Sequence, residues 1–196
     1  MNLLKSNLGF IISLVLIAVV AFNPEVKAVV LQGLIRTGLF QPSVQPLKSG
    51  SSASEKNTYS VPSIYFKGTD GKTIDLAALK GKVVFLNFWA KWCPPCRAEM
   101  PAINSLYNKF KNNSRVVFIL VDADGNLEKS GAFMKKKNYS LPVYISASNV
   151  PEQLFSGSLP TTHILNKKAE LVFSHEGMAD YDSPEMVKFI EGLLKQ

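Results

Sequence analysis

Residues 88–96 read Phe88-Trp89-Ala90-Lys91-Trp92-Cys93-Pro94-Pro95-Cys96, and they contain the only two cysteines among the 196 residues of the chain. Residues 83–88, which lead into the pair, are apolar and largely β-forming, so they predict a buried strand. Apolar and aromatic side chains then recur at helical spacing between residues 103 and 110. The cysteines therefore lie where a strand ends and a helix begins, with Cys93 at or near the N-cap and Cys96 one turn inside.

This position has chemical consequences for the two thiols. Side chains three residues apart share one face of a helix, so the two sulfurs can come close enough to form a disulfide. The free N–H groups and the dipole of the first helical turn favour a thiolate at Cys93, which we expect to be exposed. Pro94 and Pro95 suit a helix start, because the N–H that proline lacks has no helical partner there. An exposed low-pKa thiol beside a resolving thiol is suited to thiol–disulfide exchange.

Three alternative roles for the cysteine pair are weaker. A zinc site needs four ligands, and His163 and His175 are twelve residues apart, too far for a finger-type pair. A purely structural disulfide that closes so short a loop would constrain the unfolded chain little. Two unreactive core cysteines would not require a Trp-Cys-x-x-Cys sequence at a strand–helix corner. We therefore favour redox chemistry by the cysteines themselves, with no metal and no cofactor.

The length suits one domain of ordinary size with an N-terminal appendage. The net charge is +7, from 22 basic and 15 acidic residues, and the excess is spread along the chain. Its one cluster is residues 135–137, three lysines that follow an apolar pair on a predicted helix. A solvated helix end explains this cluster, so no nucleic-acid partner is expected.

Residues 8–22 carry no charge, and with the residues from Leu3 onward they reach the length that spans a bilayer. We interpret residues 1–24 as a transmembrane anchor, with a cleaved signal peptide as the alternative, since Val26-Lys27-Ala28 could be a cleavage site. Apolar residues continue around Lys27 and Arg36, which predicts an interfacial amphipathic helix and favours the anchor. Both interpretations place the rest of the chain outside the cytoplasm.

Residues 25–57 are interpreted as this amphipathic segment followed by a flexible linker, because residues 41–57 are rich in Pro, Ser, Gly and Lys. Residues 58–196 form the predicted domain. Besides the central strand and helix it should contain a hairpin turning at 68–71, a second strand at 115–121, a helix at 127–138, a short strand at 141–145, a small helix at 151–155, a hairpin turning at 166–169 and a closing helix from Ser183. This order indicates an α/β domain with a mixed sheet.

These residues carry a family resemblance. The segment from Phe88 to Arg97 resembles the active-site segment of the thioredoxin superfamily. Cys-Pro-Pro-Cys-Arg-Ala-Glu-Met-Pro at 93–101, together with Leu-Pro-Thr-Thr at 159–162, is similar to the TlpA/ResA-like branch of membrane-tethered bacterial thiol–disulfide oxidoreductases. The resemblance covers about residues 60–195. It implies a thioredoxin-like fold, with a central mixed β-sheet flanked by helices.

The resemblance also implies roles for individual residues. Cys93 would attack a substrate disulfide and Cys96 would resolve the mixed disulfide. The peptide bond between Leu159 and Pro160 would be cis, in a loop that faces the sulfurs and offers the backbone of Leu159 to substrate. Trp92, Pro94 and Pro95 would shape the site, with Trp92 covering the sulfurs.

One position departs from the pattern. Asn87 stands where many thioredoxins have a buried aspartate that serves the inner cysteine, so the proton acceptor for Cys96 is open. Glu99 is near in sequence, but we expect it to be a solvent-facing charge in the first helical turn. Trp89 is expected in the core, and His163 is expected to be structural or partly exposed.

The function implied by the resemblance is disulfide reduction on the periplasmic or extracytoplasmic side of the bacterial inner membrane. A membrane thiol donor of the DsbD/CcdA type would supply electrons, and disulfide-containing exported proteins, apo-cytochrome c among them, would be substrates. A dithiol oxidase of secreted proteins is the alternative with the same chemistry. A tethered binding module with incidental thiols is the alternative from another class.

Overall fold

The computed structural model describes residues 2–36, 40 and 63–196, without the side chains of residues 2–7 and 36. The flexible linker predicted at 41–57 and the predicted domain start at 58 lie outside this range. The described elements, in chain order, are α1 (Asn2–Phe22), α2 (Pro24–Arg36), β1 (Tyr65–Gly68), β2 (Thr73–Asp75), a 3₁₀ turn (Leu76–Leu79), β3 (Val83–Trp89), α3 (Pro94–Phe110), β4 (Val116–Asp122), α4 (Leu127–Lys136), β5 (Val143–Ser146), β6 (Thr161–Leu165), β7 (Leu171–Glu176) and α5 (Pro184–Lys195).

The seven strands of the described region form one mixed sheet in the order β2-β1-β5-β4-β3-β6-β7. Strand β3 is parallel to β4, and β4 to β5, while the remaining pairs are antiparallel. All seven residues of β3 are buried, as expected for a strand covered on both faces. The fold is thioredoxin-like, a mixed sheet flanked by helices, as predicted.

The register of β3 places three chain segments at one edge of the sheet. Phe88 pairs with Thr161, the first residue of β6, and Trp89 pairs with Asp122, the last residue of β4. The end of β3, the end of β4 and the start of β6 therefore meet where α3 begins.

Two hydrophobic cores lie on the two faces of the sheet, because alternate side chains of β3 point to opposite sides. Val83 and Phe85 pack with α3 and α5, whereas Val84, Leu86 and Phe88 pack with β1 and the 3₁₀ turn. By this alternation Asn87 faces the α3 side. An apolar strand thus directs one polar side chain into the core beneath α3.

Most predicted elements are present, and one is wrong. Residues 151–155 form a turn rather than a small helix. The amides of Leu154 and Phe155 both donate to the carbonyl of Pro151, at 2.9 and 3.1 Å. A segment of five residues forms too few further hydrogen bonds to offset the free-energy cost of helix nucleation. The closing helix starts as predicted, with the hydroxyl of Ser183 accepting from the Met186 amide at 3.3 Å.

The N-terminal helices differ in their surroundings. The described side chains of α1 are exposed, whereas α2 packs against α3 and buries Ala28 and Ile35. Among the described residues no single helix is long and apolar enough to cross a membrane by itself. Leu8–Phe22 and Pro24–Ile35 meet that requirement only as a pair, bent by 93° between them.

Candidate active site

The two cysteines lie at the strand–helix corner in the predicted positions. Cys93 is the N-cap of α3, and its Sγ accepts a hydrogen bond from the backbone amide of Cys96 at 3.2 Å. Pro94 and Pro95 occupy the first helical positions, where no N–H is needed. Cys93 and Cys96 form a disulfide with their Cα atoms 5.3 Å apart. The amide that contacts Sγ of Cys93 would also stabilise a thiolate there, in addition to the helix dipole.

The expected exposure of Cys93 is wrong for this oxidised form. Cys93 is 3% exposed and Cys96 is completely buried. The bond to Cys96 holds the sulfur of Cys93 toward a buried partner, and both side chains belong to the core beneath α3. Only a small surface of Cys93 is therefore open to an approaching thiolate.

Trp92 supplies a large exposed surface beside the corner. It is 59% exposed, and its indole N–H donates to Oδ1 of Asp124 at 2.9 Å. The loop that carries Asp124 is itself held by Asp122, whose carboxylate accepts from the amides of Asp124 and Asn126 at 3.3 and 2.9 Å. Asp124, in a loop held by β4, thus fixes the ring of Trp92. No feature of the sequence had identified Asp124. That Trp92 covers the sulfurs remains a prediction.

The Leu159–Pro160 peptide bond is cis, as the resemblance implied. Pro160 is buried, and its carbonyl accepts from the amide of Gly177 at 2.8 Å. Leu159 is half-buried and packs against both cores. Because Thr161 pairs with Phe88, this loop lies at the sheet edge where β3 ends and the two cysteines begin α3. We call this junction, with Cys93 and Cys96, the redox corner.

The expectation that Glu99 faces solvent is wrong. Glu99 is fully buried, since it lies three residues after Cys96 on the same inward face of α3. The side-chain amide of Asn87 donates to Oε1 of Glu99 at 2.9 Å and to Oγ1 of Thr162 at 2.8 Å. Burial raises the pKa of Glu99 well above its ordinary value, although the hydrogen bonds from Asn87 and from the Ala179 backbone oppose this shift.

Two sequence signals could have located this carboxyl group. Glu99 shares the helical face of Cys96 and Ile103, both buried. Asn87 interrupts an apolar strand, and a buried amide needs hydrogen-bond partners. Taken together, they point to a polar contact between β3 and α3.

The other predicted polar residues have structural roles. His163 is buried, its Nε2 lies 2.7 Å from the carbonyl oxygen of Leu154, and desolvation lowers its pKa. It is therefore structural and not partly exposed. Trp89 is in the core as predicted. Within the described part of the chain, no three His, Cys, Asp or Glu side chains are grouped so that they could hold a metal ion.

A disulfide at the N-terminus of the helix that follows the central strand, beside a cis-proline loop, can exchange with other thiols and disulfides. These features define a thioredoxin-fold protein with a redox-capable cysteine pair. A family model described as Redoxin matches residues 55–186, and the chain belongs to this family.

The names of two similar proteins describe thiol–disulfide chemistry. The chain is 39% identical to a thiol-disulfide oxidoreductase ResA of Bacillus cereus over 112 residues, which are 57% of this chain and 64% of that protein. It is 35% identical to ResA of Bacillus thuringiensis subsp. konkukian over 117 residues, 59% of this chain and 67% of that one. The match thus spans slightly less than two thirds of the first relative.

Solved structures agree on the fold. The crystal structure of the pneumococcal exposed lipoprotein thioredoxin Etrx1 from Streptococcus pneumoniae strain TIGR4 superposes with a TM-score of 0.53 at 27% identity. The alignment covers 69% of this chain and 100% of that chain.

Proposed function

We propose that this protein is an exported thiol–disulfide oxidoreductase that reduces disulfides in other exported proteins through Cys93 and Cys96. The observation that carries the proposal is the Cys93–Cys96 disulfide at the N-cap of α3, with the Cys96 amide donating to Sγ of Cys93. The names of the ResA relatives support the class of reaction.

The reaction consists of two exchange steps. In the reduced protein, the thiolate of Cys93 attacks one sulfur of the substrate disulfide, and the other substrate sulfur leaves as a thiolate that takes up a proton. Cys96 then loses its proton and attacks Sγ of Cys93, which releases the second substrate thiolate and forms the intramolecular disulfide. Two electrons pass to the substrate, and a membrane thiol donor of the DsbD/CcdA type restores the dithiol.

Glu99 is the group we propose as the proton acceptor for Cys96. It is buried one turn after Cys96 on the same face of α3. Its raised pKa makes it a stronger base than an exposed carboxylate, closer to the pH at which it must act. Asn87 would orient the carboxyl group through the 2.9 Å hydrogen bond rather than accept the proton itself.

Substrate would bind across the sheet edge around the sulfurs. Trp92 offers exposed apolar surface, and Leu159 would offer its backbone because Pro160 has no N–H that competes for the same contact. Pro94 and Pro95 are both half-buried and would shape the rim between the cysteines.

The location is part of the proposal. The described side chains of α1, Leu8–Phe22, are too few to span a membrane alone, but the whole helix from Asn2 contains 21 residues, about 32 Å at 1.5 Å per residue, close to the thickness of a bilayer core. We propose that it anchors the chain in the bacterial inner membrane, with the catalytic domain on the periplasmic or extracytoplasmic side. Cytochrome c maturation would be one pathway that uses such a reductase.

The reduction potential of the Cys93–Cys96 couple tests the direction of electron flow. The full-length protein in detergent would be equilibrated with glutathione and dithiothreitol buffers, with Cys93→Ser as the inactive control. A value near that of thioredoxin, about −270 mV, or lower supports a reductase. A value of about −120 mV would instead indicate that the protein is an oxidase of secreted proteins. If the Cys93→Ser variant still performs the protein's function, the thiols are incidental, and this result would support a tethered binding module.

A further inference from the structure

Helix α2 has an inner face that belongs to the catalytic domain. Glu25, Ala28, Gln32 and Ile35 follow one another at spacings of three, four and three, so they lie along one side of the helix. Ala28 is 7% and Ile35 is 4% exposed, and α2 packs against α3. This side of α2 is thus covered by protein.

The first turn of α2 is held to the domain by charge. The carboxylate of Glu25 forms ion pairs with the guanidinium of Arg97 and, at 3.2 Å, with the ammonium of Lys137. The Arg97 side chain is only 7% exposed and lies over the ring of Phe133, 5.7 Å from its centre. Since Arg97 directly follows Cys96, this contact ties α2 to the catalytic helix. It also keeps α2 outside the hydrocarbon of a bilayer, where these charges would be costly.

The opposite face of α2 is apolar as well. At 100° per residue, Val26, Val30 and Gly33 lie together on the side away from Ala28 and Ile35, and Val29 lies at the border between the two sides. Val29 is 64% and Val30 is 44% exposed. A helix between a domain and water would carry polar residues on this side, so a second apolar medium is indicated.

The geometry of α1 is consistent with a lipid surface as that medium. Helix α1 leaves α2 at 93°, and its described side chains are exposed. A bilayer crossed by α1 along its normal lies parallel to the axis of α2, and the exposed face of α2 is the one available to meet it. Lys27 at the border of this face suits the headgroup layer.

We propose that α2 is a two-sided docking helix, with its inner face bound to α3 and α4 through Glu25 and its outer face resting on the lipid surface. The inference rests on the membrane anchor proposed for α1. As a consequence, the catalytic domain lies against the bilayer at a set distance, and the redox corner can act only on disulfides presented close to the membrane.

Tryptophan quenching by brominated phosphatidylcholine vesicles tests this arrangement in the full-length chain. Val30→Trp, or Val26→Trp if the first variant does not fold, places a reporter on the outer face of α2. Lys188→Trp, on the exposed side of α5, is the matched control. Subtracting the parent chain removes the emission of the two native tryptophans. The added emission should fall about twofold for the α2 reporter, because an interfacial helix lies about 5–10 Å into the headgroup boundary. It should stay unchanged for the control.

Flotation of the vesicles after an alkaline wash separates this inference from the anchor. If the chain floats and the α2 reporter is quenched, both stand. If the chain floats and the reporter is not quenched, the docking inference is overturned while the anchor survives. Cross-linked dimers with an unquenched reporter would show that a second copy, and not lipid, covers the face. A chain that washes off overturns the anchor and the inference with it.

Discussion

The buried carboxyl group of Glu99 makes a prediction about stability and pH. Because burial raises the pKa of Glu99 well above 4.5, the folded chain keeps this proton over a pH range in which the unfolded chain has lost it. The free energy of unfolding contributed by this group therefore falls as pH rises above about 4.5, by up to about 1.36 kcal/mol per pH unit. Between pH 5 and pH 7 the upper limit of this loss is about 3 kcal/mol, for a folded state that stays protonated, and the loss is smaller if Glu99 ionises within this range.

Glu99→Gln removes the titration and keeps the shape. Glutamine still offers an oxygen to the side-chain amide of Asn87, the donor that lies 2.9 Å from Oε1 of Glu99. Any hydrogen bond that the variant loses, for example near Ala179, costs about 1 kcal/mol, and this cost is the same at every pH. The variant should thus be less stable than the parent near pH 5 and more stable near pH 7.

Urea denaturation of both oxidised chains in the same detergent, at half-unit steps from pH 5 to pH 8, measures this difference. Other groups, His163 among them, titrate equally in both chains, so the difference isolates Glu99. Glu152→Gln, at an exposed position, is the matched control and should follow the parent at all pH values. Parallel stability profiles for Glu99→Gln and the parent would refute the argument, because they would mean that Glu99 is already ionised in the folded state at pH 5.

Three further predictions concern the site and its attachment. Cys96→Ser should accumulate mixed disulfides between the remaining thiol and substrate, visible on non-reducing gels, and rapid release of substrate would contradict the assignment of Cys96 as resolving thiol. Asp124→Ala should raise KM about fivefold, the worth of about 1 kcal/mol for the lost hydrogen bond to Trp92, whereas Asp124→Asn should retain the acceptor and the parent value. Glu25→Gln should cost about 1 kcal/mol in urea denaturation, because the buried arginine after Cys96 loses its carboxylate, while Glu152→Gln should cost nothing measurable.

Local chemistry explains which features could be predicted. The N-cap position of Cys93, the two prolines at the start of α3 and the cap at Ser183 depend on residues within one or two turns, so short-range spacing indicated them. The cis bond at Pro160 followed from a family resemblance and not from the residues themselves. The turn at 151–155 was mistaken for a helix because a short apolar segment with a leading proline has the same local pattern.

The sequence by itself determined the strand–helix corner, the placement of the cysteine pair at that corner and the α/β order, since these depend on periodicity and on neighbours in the chain. The tertiary structure decided which polar groups are buried. Glutamate is a residue type usually found at the surface. Only the packing of α3 over β3 brings Glu99 to Asn87 and removes it from water. Docking of α2 on Arg97 joins residues more than 70 positions apart. Burial and long-range pairing depend on which distant elements cover a side chain, and no local pattern contains that information.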